Sequence, residues 1–367
     1  MDSTIAIEAK DSGKSFDSSA FLRNANVVVV IPTLNEERMI GSVLSTLMEE
    51  QKTVPNLEIV VADGGSSDRT VEIARRIATE HSFVSVLDNR KRLQSAAVNL
   101  VAQAWRGKAD FLIRCDAHSI YPESFVSRLI TTLTDTGADS VVVPMDSVGR
   151  NCIEKAVAWV SDTPAGSGGS GHRGGAKSGF IDHGHHAAFR LDKFLSVGGY
   201  EETFSHNEDA EFDCRLNAMG GRIYLDASIR IGYHPRGSFS KLWRQYYNYG
   251  KGRSRTVRRH PHTVRVRQAV VPAHFLLSVA SFALATITGW WLFVAWPVMY
   301  AAALTAVSIM IVAKKRSACG FLAGVAACIM HTAWACGFFK GLLFSREKRW
   351  SAIEIRQDAA GVEGLVE

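Results

Sequence analysis

"VVVVIP", residues 27–32, is an unbroken β-branched run that stops at a proline. A continuous apolar run, as opposed to an alternating one, describes a strand covered on both faces, which is the situation of a parallel sheet. Working outward, Leu57 to Ala62 ("LEIVVA"), Val84 to Leu87, Phe111 to Cys115 and Ser140 to Val143 read as further strands. Between them, Glu37 to Gln51, Arg69 to His81 behind the N-cap Asp68, Gln94 to Trp105 and Glu123 to Thr134 read as helices. Strict alternation of this kind predicts an open α/β sheet of doubly wound type, in which ligands bind beyond the carboxyl ends of the strands.

The strand exits are therefore where chemistry is expected. They read "PTLNEE" (32–37), "DGGSSDRT" (63–70), "DNRKRLQSAAVN" (88–99) and "DAHSIYP" (116–122). One aspartate at a strand exit is an ordinary turn residue, but three at successive exits converge on one crevice and predict a shared polar site. No GxGxxG opens the first helix, so dinucleotide binding has no support. "GHRGGAKS" (171–178) lacks a glycine directly before Lys177 and is not a P-loop. The surrounding Gly/Ser tract, 164–179, is either a flexible linker or a lid in which His172, Arg173 and Lys177 meet a phosphorylated ligand.

Composition narrows the class. A hydrophobic content of 47% with 21% charged residues argues against disorder and allows a substantial core. The net charge of +6 does not point to nucleic acid, because nine Lys/Arg and no acid lie between Lys241 and Arg267, leaving the rest of the chain net negative. From Ala227 to Arg346 there is no Asp or Glu, and this stretch holds three apolar segments, Val270 to Ile287, Trp290 to Val312 and Gly320 to Phe339. Each approaches the roughly 20 residues that a membrane-spanning helix needs. Their late position excludes a secretory signal, and the first 25 residues are polar, so the catalytic part is expected in the cytoplasm. The basic band before the first segment and Lys314, Lys315 and Arg316 after the second fit a helical hairpin with both ends inside. A full crossing by the third would place Lys340, Arg346, Lys348 and Arg349 outside. A re-entrant or interfacial helix with His331 facing protein or water, or a buried core helix, are the alternatives. The six cysteines form no CxxC pair and suggest neither a zinc site nor a disulfide framework, as suits a reducing compartment.

"VVVVIPTLNEE", "VVADGGSSDRT", "RCDAHSIYP" and "NEDAEFDCRLNAMGG", in that order, resemble the family 2 glycosyltransferases of the GT-A fold over residues 26 to 235. "DAH" in place of Asp-x-Asp, "GHHAAFR" (184–190) and "PRGSFSKLWRQYYNYGKGR" (235–253) are similar to the succinoglycan-type bacterial exopolysaccharide β-1,3-glucosyltransferases. The resemblance implies a Rossmann-like, mostly parallel catalytic domain followed by C-terminal transmembrane helices. The division expected is a flexible 1–25, a catalytic 26–235, a basic interfacial 236–268, a membrane region of two to three helices at 269–345, and a tail at 346–367. It also implies glucose transfer from UDP-glucose to a sugar on undecaprenyl diphosphate at the inner membrane, with the catalytic domain cytoplasmic and the membrane lipid in contact.

By this resemblance Pro32, Thr33, Asn35, Glu36 and Asp63 hold the base and ribose, and Arg92 and Asn99 reach the diphosphate side, Arg92 by charge-assisted hydrogen bonds. Asp116 meets the ribose or a metal. His118, two residues on and therefore on the same side of an extended chain, ligates the metal or hydrogen-bonds a phosphate. The leaving diphosphate gains negative charge and calls for a divalent Lewis acid. With imidazole replacing a carboxylate, Mn²⁺ is expected over Mg²⁺. Asp209 is the implied general base for an inverting displacement, and Glu208 beside it raises the proton affinity of the pair. Glu211 and Asp213 read as complements to the helix dipole. His185 and His186, then Gln245, Tyr246, Tyr249 and Arg253, are acceptor-side residues, the latter group sharing a helix suited to an anionic interface.

Two rival activities are weaker. A processive polysaccharide synthase would need a channel and a Gln-x-x-Arg-Trp signature, which this chain lacks. A nucleotidyltransferase acting on a sugar phosphate normally carries a Gly-rich basic loop after the first strand, and "IPTLNEERM" (31–39) is not one. A non-enzymatic membrane-tethered sugar-nucleotide or lipid binder would have no use for Asp209.

Overall fold

A computed structural model describes residues 18–168 and 177–351. The chain opens with α1 (Ser18–Asn24), β1 (Val27–Thr33), α2 (Ile40–Met48), β2 (Leu57–Asp63), α3 (Thr70–Glu80), β3 (Val84–Asp88), α4 (Gln94–Ala104), β4 (Phe111–Arg114) and α5 (Phe125–Thr136). There follow β5 (Ser140–Val142), β6 (Met145–Ser147), α6 (Cys152–Ser161), α7 (Pro164–Ser167), β7 (Gly179–Ile181), β8 (His186–Arg190), α8 (Leu191–Ser196) and α9 (Glu208–Ala218). Then come β9 (Ile223–Leu225), β10 (Ile231–Tyr233), α10 (Phe239–Arg259), α11 (Val266–Thr288), α12 (Ala295–Lys315) and α13 (Leu322–Phe344). The expected α/β alternation through β5 is present, with element ends shifted by a few residues.

The central sheet has the order β3-β2-β1-β4-β8-β5-β9-β7. β1 sits inside it, parallel to both β2 and β4, and five of its residues in a row are buried, as its unbroken apolar run requires. β8 inserts antiparallel between β4 and β5, and β7 is antiparallel to β9, so the sheet is mixed on that side. One face carries the core of α2, α3 and α5. The other packs Val28, Val30, Val60 and Leu112 against α4 and an aromatic group of Phe189, Phe194, Tyr200 and Phe212.

Three sequence expectations are corrected. Residues 18–24, placed in a flexible terminus, form α1 because Leu22 buries itself and Phe21 meets Phe111 edge-on at 6.2 Å. Cys152 and Cys319, 167 residues apart, are bonded, joining the start of α6 to the turn before α13. Their spacing carries no pairing signal. The basic segment 236–268, expected at the interface, also faces protein: Arg255 and Arg259 pair with Glu347, Arg259 also with Glu201 and Glu211, and Arg258 donates to the Ser345 and Gly341 carbonyls. His172 and Arg173 lie outside the described residues.

Three helical stretches, Gln268–Thr288, Trp291–Lys315 and Ala318–Phe344, are long and apolar enough to cross a membrane. They differ in one respect. The apolar window of the third is 44% buried, against 17% and 11% for the others. α13 lies parallel to α10, where Gly250 seats on the Trp334 carbonyl and Gly337 on the Tyr247 carbonyl, closer than any side chain would allow. At its other half His331 Nε2 meets the Ala165 carbonyl oxygen at 2.7 Å. One half of α13 thus packs on α10, and the other reaches α7 of the catalytic domain through His331.

Candidate active site

The ends of β1 and β4, the start of α4, the 183–185 segment and the N-terminus of α9 face one cavity of about 700 Å³, a size suited to a bound substrate. Both Asp116 and Asp209 line it, and so do Pro32, Thr33, Glu36, Arg92, His118 and Glu208. It continues past His185 to Gln245, Tyr246, Tyr249 and Arg253 on α10 and reaches α11 and α13. His186 opens β8, and its side chain lies outside the described residues.

Arg114 organises the centre. It ends β4 in an otherwise apolar strand, and its side chain is 4% exposed. Nη1 contacts Asp209 Oδ1 at 2.5 Å and donates to Tyr200 Oη at 3.1 Å. Nε stands 3.6 Å from Asp116 Oδ1 and Nη2 3.8 Å from Glu208 Oε1. Burial works against the guanidinium charge, yet these carboxylates, Asp209 foremost, hold it firmly protonated. Tyr200 Oη also donates to Asp209 Oδ1 at 2.8 Å, its ring fixed by Phe189, Phe194 and Phe212. Asp209 Oδ1 is thereby committed to two donors, while Oδ2 looks toward His185 Nδ1 at 3.8 Å. The other nitrogen of His185 is 3.8 Å from Asp116 Oδ2, so this ring stands between the two acids.

Asn207, in a left-handed conformation (φ 71°), turns the chain so that Glu208 and Asp209 open α9 together. Burial and then the charge of Asp209 push the Glu208 carboxyl up to about 7. Asp116 behaves oppositely. Burial pulls it up, but Arg114, His185 and His118 hold it below its ordinary value. Gln94 Nε2 donates to Asp116 Oδ1 at 2.6 Å. His118 Nδ1 meets Glu36 Oε1 at 3.0 Å, and that bond raises its proton affinity.

A divalent cation finds part of a coordination set here. With Nδ1–H of His118 donating to Glu36, Nε2 keeps its lone pair, and neither it nor Asp116 Oδ2 has a hydrogen bond among the described residues. Among those residues no group of three or more His, Cys, Asp or Glu forms a metal cage. Two protein ligands completed by substrate phosphates fit this donor set.

The remaining expected residues fall elsewhere. Asn99 is corrected: its amide bonds the Tyr200 backbone N–H and carbonyl and Glu202, so it clamps the 199–202 turn and does not line the cavity. Asp63 and Asn35 are not cavity-lining residues either. Asp63 accepts from Thr33 Oγ1, Gly65 N and Ser66 N, and Asn35 Oδ1 accepts from Ser67 N, so both shape the turn beneath the rim. Glu211 and Asp213 do more than complement a dipole: Glu211 is fully buried among Arg215, Arg259 and His260, and Asp213 meets His183 at 2.5 Å. Sequence reasoning missed Arg114, Tyr200 and Gln94. Only Arg114 left a signal, a cation in a strand whose neighbours are all apolar.

The family model described as "Glycosyl transferase family 2" matches residues 28–198. Over 332 residues, 90% of this chain and 99% of the relative, the sequence is 42% identical to succinoglycan biosynthesis protein ExoA of Rhizobium meliloti (strain 1021). The chain is a family 2 glycosyltransferase. It is also 24% identical, over 86% of its length and 97% of the relative's, to the dolichyl N-acetyl-α-D-glucosaminyl phosphate 3-β-D-2,3-diacetamido-2,3-dideoxy-β-D-glucuronosyltransferase of Methanococcus voltae. Among solved structures, the mannosyltransferase PcManGT of Pyrobaculum calidifontis, in complex with GDP-Man and Mn²⁺, aligns with a TM-score of 0.58 at 19% identity, covering 88% of each chain. That likeness carries the fold, and the transferase has a GT-A catalytic domain.

Proposed function

We propose that this transferase moves glucose from UDP-glucose to a sugar carried on undecaprenyl diphosphate, with inversion, during exopolysaccharide repeat-unit assembly. The observation that carries the reading is the single cavity shared by Asp116 and Asp209 and bracketed by Arg114 and His185, which runs on to helices fit for a membrane. The names of two relatives support the reading, one a succinoglycan biosynthesis protein and one, for the acceptor class, a transferase named for a dolichyl-linked sugar.

On this reading Pro32, Thr33 and Glu36 line the nucleoside end, and Arg92, beside Gly65, meets the diphosphate. Asp116 and His118 would hold the cation, Mn²⁺ in preference to Mg²⁺, which when bound neutralises charge on the leaving diphosphate. Arg114 and Tyr200 fix Asp209 through Oδ1, and its carboxylate would take the proton of the acceptor hydroxyl as that oxygen attacks the anomeric carbon from the face opposite UDP. Glu208, protonated up to about pH 7, keeps the pair from carrying two charges. His185 between the acids, with Gln245, Tyr249 and Arg253 beyond, would orient the acceptor. The three apolar helices would seat the protein as a multi-pass inner-membrane enzyme facing the cytoplasm. The Cys152–Cys319 bond would there be open to reduction, and α6 and α13 pack together independently of it.

The test incubates membranes holding the protein with radiolabelled UDP-sugars, with and without Mn²⁺, followed by mass analysis of the lipid product. A hexose added to a polyprenyl-diphosphate sugar is expected. Asp209→Asn should abolish it, and unchanged turnover in that variant would remove Asp209 as the base.

A further inference from the structure

We propose that the isoprenoid chain of the acceptor enters the cavity through an apolar arm walled by Val271 of α11 and by Met330 and Trp334 of α13. Its phosphate end stops at a polar neck of Tyr249, Arg253 and Gln268. The proposal rests on the reading of a lipid-linked acceptor and adds the route by which that lipid reaches Asp209.

All six residues line the same cavity as Asp116 and Asp209. Its wall is of two kinds, cations and carboxylates around Asp116 and Asp209, and on α11 and α13 the apolar Val271, Met330 and Trp334 with His331 among them. Val271 and Met330 offer a nucleotide or a saccharide no polar partner, whereas hydrocarbon gains roughly 25 cal/mol per Å² of apolar surface removed from water. The unbranched Met side chain adapts readily to a flexible isoprenoid. The same lining includes Tyr249 and Arg253 of α10, where Arg253 supplies positive charge and Gln245 Nε2 donates to Tyr249 Oη at 2.9 Å, fixing that phenol. A phosphate is the group that requires a cation and hydrogen-bond donors at the junction of a polar and an apolar chamber.

The arm can open in one direction. α10 and α13 are in backbone contact at Gly250 and Gly337, so nothing passes between them. Further along, Phe275 of α11 meets Phe339 of α13 at 6.0 Å, one turn beyond Val271. Val271 is half-buried, while its neighbours Val270 and Val266 are 59% and 87% exposed on the outer apolar face of α11. Val271 therefore stands between the cavity and the outer apolar surface of α11, the side on which a hydrocarbon chain would leave.

The experiment uses the full chain in phosphatidylethanolamine/phosphatidylglycerol vesicles, with undecaprenyl phosphate carrying a diazirine on its first isoprene units as probe. Cross-linked peptides are read by mass spectrometry. Adducts are expected within 268–275 and 327–334. Val271→Trp should lower their yield about tenfold, the equivalent of 1.4 kcal/mol, while UDP binding is unchanged, and Val271→Ala should keep them. If Val271→Trp loses UDP binding, the smaller Val271→Phe must show the loss of adducts with UDP binding intact. The proposal is overturned by adducts only on the outer faces of α11 and α12, by a yield that a larger residue at 271 leaves unaltered, or by equal labelling of the arm with a diazirine phosphatidylglycerol. Transfer of radiolabelled sugar to the lipid fraction is measured in the same vesicles supplied with saccharide-bearing undecaprenyl diphosphate extracted from the native membranes. Transfer retained with adducts elsewhere sinks the route alone, whereas no transfer to any lipid sinks the acceptor reading and the route with it.

Discussion

Replacing Arg114 with methionine should expose how the two halves of the site are held together. The substitution keeps the volume and strips the only cation that contacts Asp209, Asp116 and Glu208 together among the described residues. The guanidinium side chain is 4% exposed, so solvent does little to compensate its loss. Breaking a buried pair by removing one partner typically costs about 3–5 kcal/mol, because the remaining carboxylates keep their burial without their counter-charge. For a catalytic domain of this size that corresponds to a fall in Tm of roughly 6–20 °C. Arg114→Lys separates charge from geometry. An ammonium restores the charge but cannot fork to three acids, so most of the stability should return while turnover stays low. Losing one charge-assisted bond that fixes Asp209 Oδ1, about 1.5–3 kcal/mol, lowers kcat by roughly 10- to 150-fold. Thermal unfolding in detergent and the rate of nucleotide release measure the two effects. An Arg114→Met protein with wild-type Tm and kcat within twofold would refute the reasoning.

Three further outcomes follow from particular contacts. The Glu208 carboxyl, pushed up to about 7, should appear as a step near pH 7 in the kcat/KM profile that Glu208→Gln removes; a step surviving in that variant belongs to another group. Glu211 is drawn down from its ordinary 4.5 to about 2 despite burial, by its bond to His260 and by Arg215 and Arg259. A depressed carboxyl stabilises the fold above its unfolded value and loses that contribution as pH falls, so about 3 kcal/mol should disappear between pH 4.5 and 2, and Glu211→Gln should flatten Tm across that window. Gly337→Val would drive a side chain into the Tyr247 carbonyl and part α13 from α10; a strongly lowered Tm is expected, and an unaltered Tm would mean that the two helices do not pack in this way.

Much of the site was legible because its supports are local. Of the three aspartates at strand exits only Asp116 lines the cavity, joined by His118 from the same exit and by Glu208 and Asp209 from the start of α9. Asn99 was misassigned because its position on α4 resembles that of a ligand-facing residue, whereas its amide matches the backbone of a turn a hundred residues later. The strands β7, β9 and β10 are three residues each, too short for periodicity to register, and β8 joins the sheet through partners on both sides that no local pattern names.

By itself the sequence determined the parallel half of the sheet, the acids at its edge and three helices apolar enough for hydrocarbon, since strand and helix periods are properties of neighbouring residues. Only the tertiary structure decided that Arg114 ties Asp116 to Asp209, that Cys152 lies on Cys319, and that α13 packs along α10. Each of these joins residues dozens to hundreds of positions apart, and such contacts are set by how the layers pack, a fact of three-dimensional closure that no run of neighbouring residues encodes.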